Sequence, residues 1–414
     1  MHRSYHGWTM VWALAATVTV GYGVVYAFGV FLRPMEAEFG WSRAQSSAQL
    51  TVAYLTAGLA APLVGRVVDR HGARLVMTTG SVLFAIVLTL QAHVASYEAY
   101  LAIGVGLGVA MAATLYDVAF TVAAVWFRRD RARAVFAITA VGALASTVFV
   151  PLATALEVWV GWRGALLVFA ALIAVAVAPT HALVLRRRPS DLGLLPDGVG
   201  PDDDAPTAAS PERSVSPRAA LASAAFWSVG VGFTLAKLAS GALSLHLVPL
   251  LGERGLTAAL VAAAAGAVGV VQLAGRAAFP PLARRLSLTR LTALTFSAHA
   301  VGIGVLLLGD GLGAVWTFVL LYGATNGAMT IARATLTADL FGPDHYGAVS
   351  GLLAVPITLG MAIAPAAAGA ARTAWGGYDG VLLVLTACTA CGTLAVLRAR
   401  PTPGPSSSRR HARG

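Results

Sequence analysis

The sequence predicts an all-α polytopic membrane protein, with twelve transmembrane helices arranged as two pseudo-symmetric six-helix bundles. Three observations predict it: the composition is strongly apolar, the chain divides into twelve long apolar runs, and landmarks of the first half recur in the second at a nearly constant offset. Of 414 residues, 57% are hydrophobic and 11% charged, against about 25% charged in a typical soluble domain. Mean hydropathy is +0.75. So few charges cannot cover a soluble protein of this size, which excludes an ordinary cytosolic enzyme and a disordered chain. Two cysteines exclude a disulfide scaffold.

A bilayer core about 30 Å thick needs about 20 mainly apolar residues per helix. Backbone polar groups in lipid must bond within their own segment, so the apolar runs are read as helices. They cover residues 10–32, 46–65, 75–94, 99–125, 134–157 and 163–185, then 224–250, 257–279, 289–308, 312–338, 346–370 and 378–397. The first is a span rather than a cleaved signal peptide, because its apolar stretch is long and more spans follow. Between the halves, Arg186-Arg187-Arg188-Pro189 and Asp202-Asp203-Asp204 break the apolar rhythm. The expected organisation is a bundle over 1–185, a cytoplasmic linker over 186–223, a bundle over 224–398 and a cytoplasmic tail over 399–414.

Arginine placement sets the orientation. With the N-terminus inside, 23 basic residues fall on the cytoplasmic side, among them Arg66, Arg128, Arg129, Arg131, Arg133, Arg284 and Arg285. Only 5 fall outside: Arg33, Arg43, Arg163, Arg254 and Arg372. This is a positive-inside pattern. It predicts a multi-pass protein of a bacterial cytoplasmic membrane with both termini inside. It also accounts for the net charge of +11 without a nucleic-acid partner.

The halves carry matching anchors. Pro34, Glu38, Gly40, Ser42 and Ala44 recur as Pro249, Glu253, Gly255, Thr257 and Ala259, offset 215. Gly65-Arg66 recurs as Gly275-Arg276, Phe127 as Phe341 and Pro151 as Pro365, with offsets of 210, 214 and 214. Two parallel six-helix repeats with a site at mid-membrane between them describe a secondary transporter.

The turn after the second span reads Gly65-Arg66-Val67-Val68-Asp69-Arg70-His71-Gly72-Ala73-Arg74. Glycines let helix ends approach closely, and an aspartate among arginines can form a breakable ionic latch. The stretch closely resembles the G-x-x-x-D-R-x-G-x-R loop of the major facilitator superfamily. That resemblance implies a conformational latch built on Gly65, Asp69, Arg70, Gly72 and Arg74. In the second-half copy, Pro280-Pro281 replaces the aspartate. A narrower resemblance rests on Gly7-Trp8, Gly29-Val30-Phe31-Leu32-Arg33-Pro34-Met35, Phe39-Gly40-Trp41-Ser42-Arg43, Trp126-Phe127-Arg128-Arg129, Gly161-Trp162-Arg163 and Arg188-Pro189-Ser190-Asp191-Leu192-Gly193. In this order they are similar to the bacterial monocarboxylate porter and oxalate–formate antiporter branch. The implied activity is transport of a small organic anion, often a monocarboxylate moving with a proton.

An ionisable group inside a span is expensive and so is a functional candidate. The resemblance implies that Arg276 of the eighth span holds the substrate carboxylate, a task that suits a bidentate guanidinium. Gln272, one turn earlier, stands where that family carries an acid. The other reading of Arg276 is a simple Gly-Arg turn, like Arg66. Lys237, mid-way along the seventh span, can attract an anion or pass a proton; the other reading is a lysine paired to a structural carboxylate or snorkelling. Asp117, beside Tyr116, is the carboxylate placed well inside a helix and the candidate proton carrier. Its offset counterpart, position 331, lies two residues from Arg333, so an Asp117–Arg333 pair across the pathway is one expectation. Pairing of Asp117 with the Arg66–Arg74 loop is the other. Tyr322, Asn326 and Met329 form one helical stripe that faces either the pathway or a neighbouring helix, and Tyr22 and Tyr26 form a similar pair. Tyr26 stands where the resembled animal monocarboxylate transporters carry a lysine. The eleventh span lacks the lysine of oxalate exchange, so a singly charged substrate is favoured.

Other signals are weaker. His299 reads as packed, His246 as an interface residue, and Cys388 and Cys391 as helix packing. Gly104, Gly106 and Gly108 allow close helix approach. Lys237 precedes Leu238, so there is no Walker A lysine and no in-chain ATPase. No cofactor or metal is expected. The leading reading is a non-enzymatic, monomeric carrier of a small organic anion, with protons as the candidate co-substrate and the bilayer as its solvent. The alternative within the same fold is proton-driven efflux of a drug or natural product, although the fifth span has no Gly-Pro-x-x-Gly-Gly. An integral membrane enzyme or a sensor is the reading from another class, and no nucleophile–base pair or added domain supports it.

Overall fold

The computed structural model describes residues 5–198, 214–309 and 311–399. The Asp202–Asp204 part of the linker, Arg3, Arg213, Arg400 and the rest of the tail lie outside the described residues.

The first half is built from α1 (His6–Phe39), α2 (Arg43–His71), α3 (Ala73–Ala92), α4 (Tyr97–Thr114), α5 (Tyr116–Trp126), α6 (Arg131–Gly142), α7 (Ala145–Leu172) and α8 (Ala178–Val184). A short helix, α9 (Pro217–Leu221), leads into the second half. That half comprises α10 (Ala224–Glu253), α11 (Ala258–Ala283), α12 (Leu288–Leu308), α13 (Leu312–Phe341), α14 (Tyr346–Trp375) and α15 (Asp379–Leu397). Eleven apolar helical runs among the described residues are long enough to cross a membrane. One of them, Arg131–Val184, is 54 residues long and holds two spans. Gly161 divides it with a left-handed turn (φ 72°, ψ 168°) that an L side chain rarely adopts. Twelve spans result, in two six-helix bundles.

Several helices outrun their apolar stretches. The first continues past residue 32 through Pro34 to Phe39 and stops only at Gly40, whose φ is 68°. Hydropathy marks what lipid covers, whereas a helix ends where a left-handed glycine can turn the chain. The fourth span departs from expectation in a different way. Leu115 adopts an extended conformation (φ −95°, ψ −156°) and splits the span into α4 and α5. Tyr116 and Asp117 therefore open a new half-helix in the middle of the bundle.

The repeat is visible at the turns. Ser42 and Thr257, matched by offset, each cap the following helix by accepting a hydrogen bond from a backbone N–H, of Gln45 and of Leu260. Gly40 and Gly255 share a positive φ, 68° and 79°. Glu38 pairs with Arg163 at 2.5 Å, and its counterpart Glu253 pairs with Arg372 at 2.6 Å. One apolar cluster, including Phe31, Tyr100 and Phe169, belongs to the first bundle and another, including Leu250, Phe318 and Leu382, to the second. A third, containing Trp126, Phe127, Phe226, Phe341 and Tyr346, joins both at the arginine-rich face. In lipid, helices associate through close packing more than through the hydrophobic effect. Glycines supply that closeness. Gly108 lies against the Ala53 carbonyl, Gly104 against Gln49, and Gly275 against the Ala324 carbonyl.

Candidate functional site

A cavity of about 570 Å³ lies between the bundles. Its first wall is made by Tyr22 of α1, Thr51 and Tyr54 of α2, and Leu115, Tyr116, Asp117 and Phe120 around the break in the fourth span. The facing wall is made by Lys237 of α10, Met329, Thr330 and Arg333 of α13, and Ile357, Met361 and Pro365 of α14. The charged groups on these walls are Asp117, Lys237 and Arg333, a formal +1.

The break at Leu115 positions the acid. Asp117 sits in the first turn of α5, where the unpaired N–H groups of a helix start favour a negative charge. Arg333 donates from Nη2 to Asp117 Oδ1, so the two bundles meet in an ion pair on the cavity wall. The structure thus brings Asp117 to Arg333 rather than to the Arg66–Arg74 loop. Counting ten residues from Asp117 to Phe127 at 1.5 Å each places the pair about 15 Å from the helix end.

Lys237 Nζ donates to Asn326 Oδ1 at 2.9 Å, and Ser240 Oγ donates to the same oxygen at 3.0 Å. This fixes the ammonium at the cavity with an uncharged partner. On the first bundle, Tyr22 packs on Tyr116 with ring centroids 4.6 Å apart, and Tyr116 stacks on Phe120 at 5.2 Å with 10° between planes. Tyr26 stacks on Tyr22 at 6.1 Å but does not line the cavity.

Five expected substrate residues are not on the wall: Tyr26, Asn326, which holds Lys237, and Arg276, Gln272 and Tyr322. Arg276 is at the seam between bundles, where Nη1 donates to the Thr139 carbonyl of α6 at 2.8 Å. It is not on the cavity wall, although it lies seven residues before the end of α11 and near enough to Tyr26, Tyr116 and Lys237 to act on them electrostatically. Gln272 is likewise off the wall; its backbone packs against Gly327 of α13. Tyr322 is buried at 3% exposure, stacked on His299 at 4.7 Å and on Phe318 at 4.8 Å. Its side of the α13 stripe faces neighbouring helices, while Met329 faces the cavity. His299 is fully buried and bonded to Thr325 Oγ1 at 2.7 Å.

The bundles are fastened at the arginine-rich face. Asp69 accepts the backbone N–H groups of Gly347 and Ala348, both at 2.8 Å, so a carboxylate of one bundle caps α14 of the other. Gly65 makes this possible, because a Cβ there would collide with the Gly347 carbonyl. On the pseudo-symmetric side, Arg284 reaches Asp130 at 2.8 Å. The second-half copy of the loop lacks an aspartate, but an arginine there finds the acid beside α6. Gly72 turns the chain with φ 86° beneath Arg187, and Arg70 and Arg74 are exposed.

Residues 13–355 match the Major Facilitator Superfamily. The chain belongs to that superfamily. A curated relative, an uncharacterized 38 kDa protein in the 23S RNA operon of Thermoproteus tenax, is 29% identical over 361 residues, covering 85% of this chain and 86% of its own. Two structures of the Escherichia coli fucose:proton symporter FucP, one in the outward conformation, align with TM-scores of 0.67 and 0.68. Identity to each is 16%, and the alignments cover 94% of this chain and 98% of theirs. The human organic anion transporter MFSD10 aligns with a TM-score of 0.66 at 16% identity, covering 95% of this chain and 97% of its own. These structures share the major facilitator fold.

Within that fold, sequence reasoning missed Tyr54, Thr51 and Thr330 on the cavity wall, since none carries a charge at neutral pH that would single it out within a span. It also missed the break at Leu115, which has no Gly or Pro to announce it. A buried polar node was missed as well: His181 meets Ser81 Oγ and Thr17 Oγ1, both at 2.9 Å, and ties three helices of the first bundle together.

Proposed function

We propose that this transporter carries a small organic monoanion, a monocarboxylate, across a bacterial cytoplasmic membrane by alternating access. The observation that carries the reading is the charge of the cavity: two cations, Lys237 and Arg333, against one carboxylate, Asp117. Lys237 holds two ammonium protons in reserve beyond the one given to Asn326, and Arg333 keeps guanidinium donors beyond the one given to Asp117. A carboxylate entering the cavity satisfies both. In this mechanism a proton on Asp117 releases Arg333 to the substrate. The arriving anion and the proton then travel together, as in symport.

The arginine-rich face is taken as cytoplasmic, with both termini on it. The fastened Asp69–α14 and Arg284–Asp130 contacts then close the inner gate, and the cavity, which reaches towards Thr51 and Pro365, serves the outer side. Residues 1–185 and 224–398 rock as the two moving bodies of a monomer. Arg276 acts at the seam, as part of the inner gate. The branch resemblance agrees with an organic anion, and the absence of the eleventh-span lysine of oxalate exchange favours a singly charged one. MFSD10 is named an organic anion transporter and FucP a proton symporter, and both properties are proposed here on the residues of this chain.

Uptake into proteoliposomes of labelled lactate, pyruvate, benzoate and oxalate, with and without an inward pH gradient, tests the reading. Saturable, gradient-stimulated uptake of a monocarboxylate is expected. No saturable uptake of any acid would turn the assignment to the second reading, efflux of an amphiphilic compound. That reading is favoured by the otherwise apolar wall of Met111, Leu115, Met329, Ile357 and Met361.

A further inference from the structure

The two walls of the cavity differ in kind. The first bundle supplies a run of rings: Tyr22 on Tyr116, and Tyr116 on Phe120 with planes 10° apart. The second bundle supplies the cations Lys237 and Arg333. An occupant that spans the cavity therefore meets aromatic side chains on one side and positive charge on the other.

Size points the same way. The cavity offers about 570 Å³, within the range of roughly 300–1,000 Å³ typical of pockets for larger ligands. A three-carbon acid held by Lys237 and Arg333 brings no ring of its own to set against Tyr22 and Tyr116. Offset or tilted stacking on that wall needs a partner that is itself flat.

Resting on the anion reading above, we propose that the preferred cargo is an aromatic monocarboxylate. Its carboxylate is held by Lys237 and Arg333, and its ring lies against the half-buried Tyr22 and Tyr116, with Phe120 stacked behind Tyr116. The aromatic wall is the specificity element and the cationic wall is the charge filter. Aliphatic acids share only the second.

The test is competition in proteoliposomes against labelled benzoate, using unlabelled benzoate, phenylacetate, pyruvate and lactate. The expected result is half-maximal inhibition by the two aromatic acids at least tenfold lower in concentration than by pyruvate or lactate. Tyr116→Leu is expected to shrink that ratio to below threefold, whereas Tyr116→Phe, which keeps the ring, preserves it. Phe120→Leu gives the same reading should Tyr116→Leu fail to fold. Pyruvate and lactate competing as well as benzoate in the unaltered protein would overturn the aromatic assignment and leave the anion reading standing. A ratio unmoved by both leucine variants would overturn it as well. Absence of uptake of every acid would remove the anion reading and this proposal with it.

Discussion

Asp117 and Arg333 stand on different bundles and close an ion pair across the central cavity, with Arg333 18% and Asp117 38% exposed. A fully buried pair costs roughly 3–5 kcal/mol to break from one side. Partial exposure weakens this one by solvent screening, to about 1–2 kcal/mol.

The first prediction follows. Asp117→Asn leaves Arg333 free for the substrate at every pH. The half-saturation concentration for anion uptake falls, by about 5–30-fold if the released 1–2 kcal/mol goes into binding. Uptake also stops responding to an imposed pH gradient. Initial rates at pH 5.5 and 7.5 measure both, and an unchanged gradient response removes Asp117 as the proton carrier.

The inner gate gives the second. Asp69 satisfies two N–H groups at the start of α14, the kind of contact worth about 0.5–2 kcal/mol at a helix cap. Asp69→Ala removes it only in the state seen here, because the partners lie on the other bundle. The population of that state falls by up to about 30-fold at the upper end of the range. A cysteine at Thr330, on the cavity wall, reports the change through alkylation from the arginine-rich side, and an unchanged labelling rate would exclude Asp69 from the gate.

Much of this was legible because lipid makes strong demands on sequence. Twelve apolar runs, the arginine asymmetry and the Gly65–Arg74 loop each follow from a single constraint, and the fold they imply is the one observed. The Asp117–Arg333 contact could be reached as one of two alternatives, from the repeat offset, which gives position 331, together with the facing of the fourth and tenth spans that the family resemblance implies. What could not be reached was the direction of individual side chains. Arg276 lies on the expected helix but at the seam, Gln272 backs onto Gly327 of its own bundle, and Tyr322 turns towards His299, because rotation about a helix axis is fixed by packing partners that a single span does not reveal. The break at Leu115 was illegible for a related reason. Its cause is tertiary, and neither Gly nor Pro marks it.

Two glycines with the same sequence signature carry opposite consequences, which is the third prediction. Gly65 faces Gly347 of the other bundle, whereas Gly275 faces Ala324 of its own. Gly65→Val separates the bundles at the inner gate without disturbing either one. Transport falls at least tenfold while Tm in detergent changes by only a degree or two. Gly275→Val strains α11 against α13 inside one bundle, where overpacking costs about 1–3 kcal/mol, so it lowers Tm by several degrees. Equal thermal effects of the two would contradict the placement of Gly65 at a moving interface.

The last prediction separates the cavity from the seam. Lys237 lines the cavity and donates to neutral Asn326 at 2.9 Å, whereas Arg276 donates to the Thr139 carbonyl at 2.8 Å across the bundles. A hydrogen bond to a charged group contributes about 1.5–3 kcal/mol, so Lys237→Gln raises the half-saturation concentration by roughly 10–150-fold. Arg276→Gln gives up a contact that exists only while the arginine-rich face is closed. It shifts the balance between states, and its main effect is on the ratio of uptake to efflux rates measured in oriented proteoliposomes. Its half-saturation constant moves by less than about fivefold. Should Arg276→Gln match Lys237→Gln in weakening substrate binding, Arg276 would belong to the binding site after all, entering the cavity in a state other than the one described.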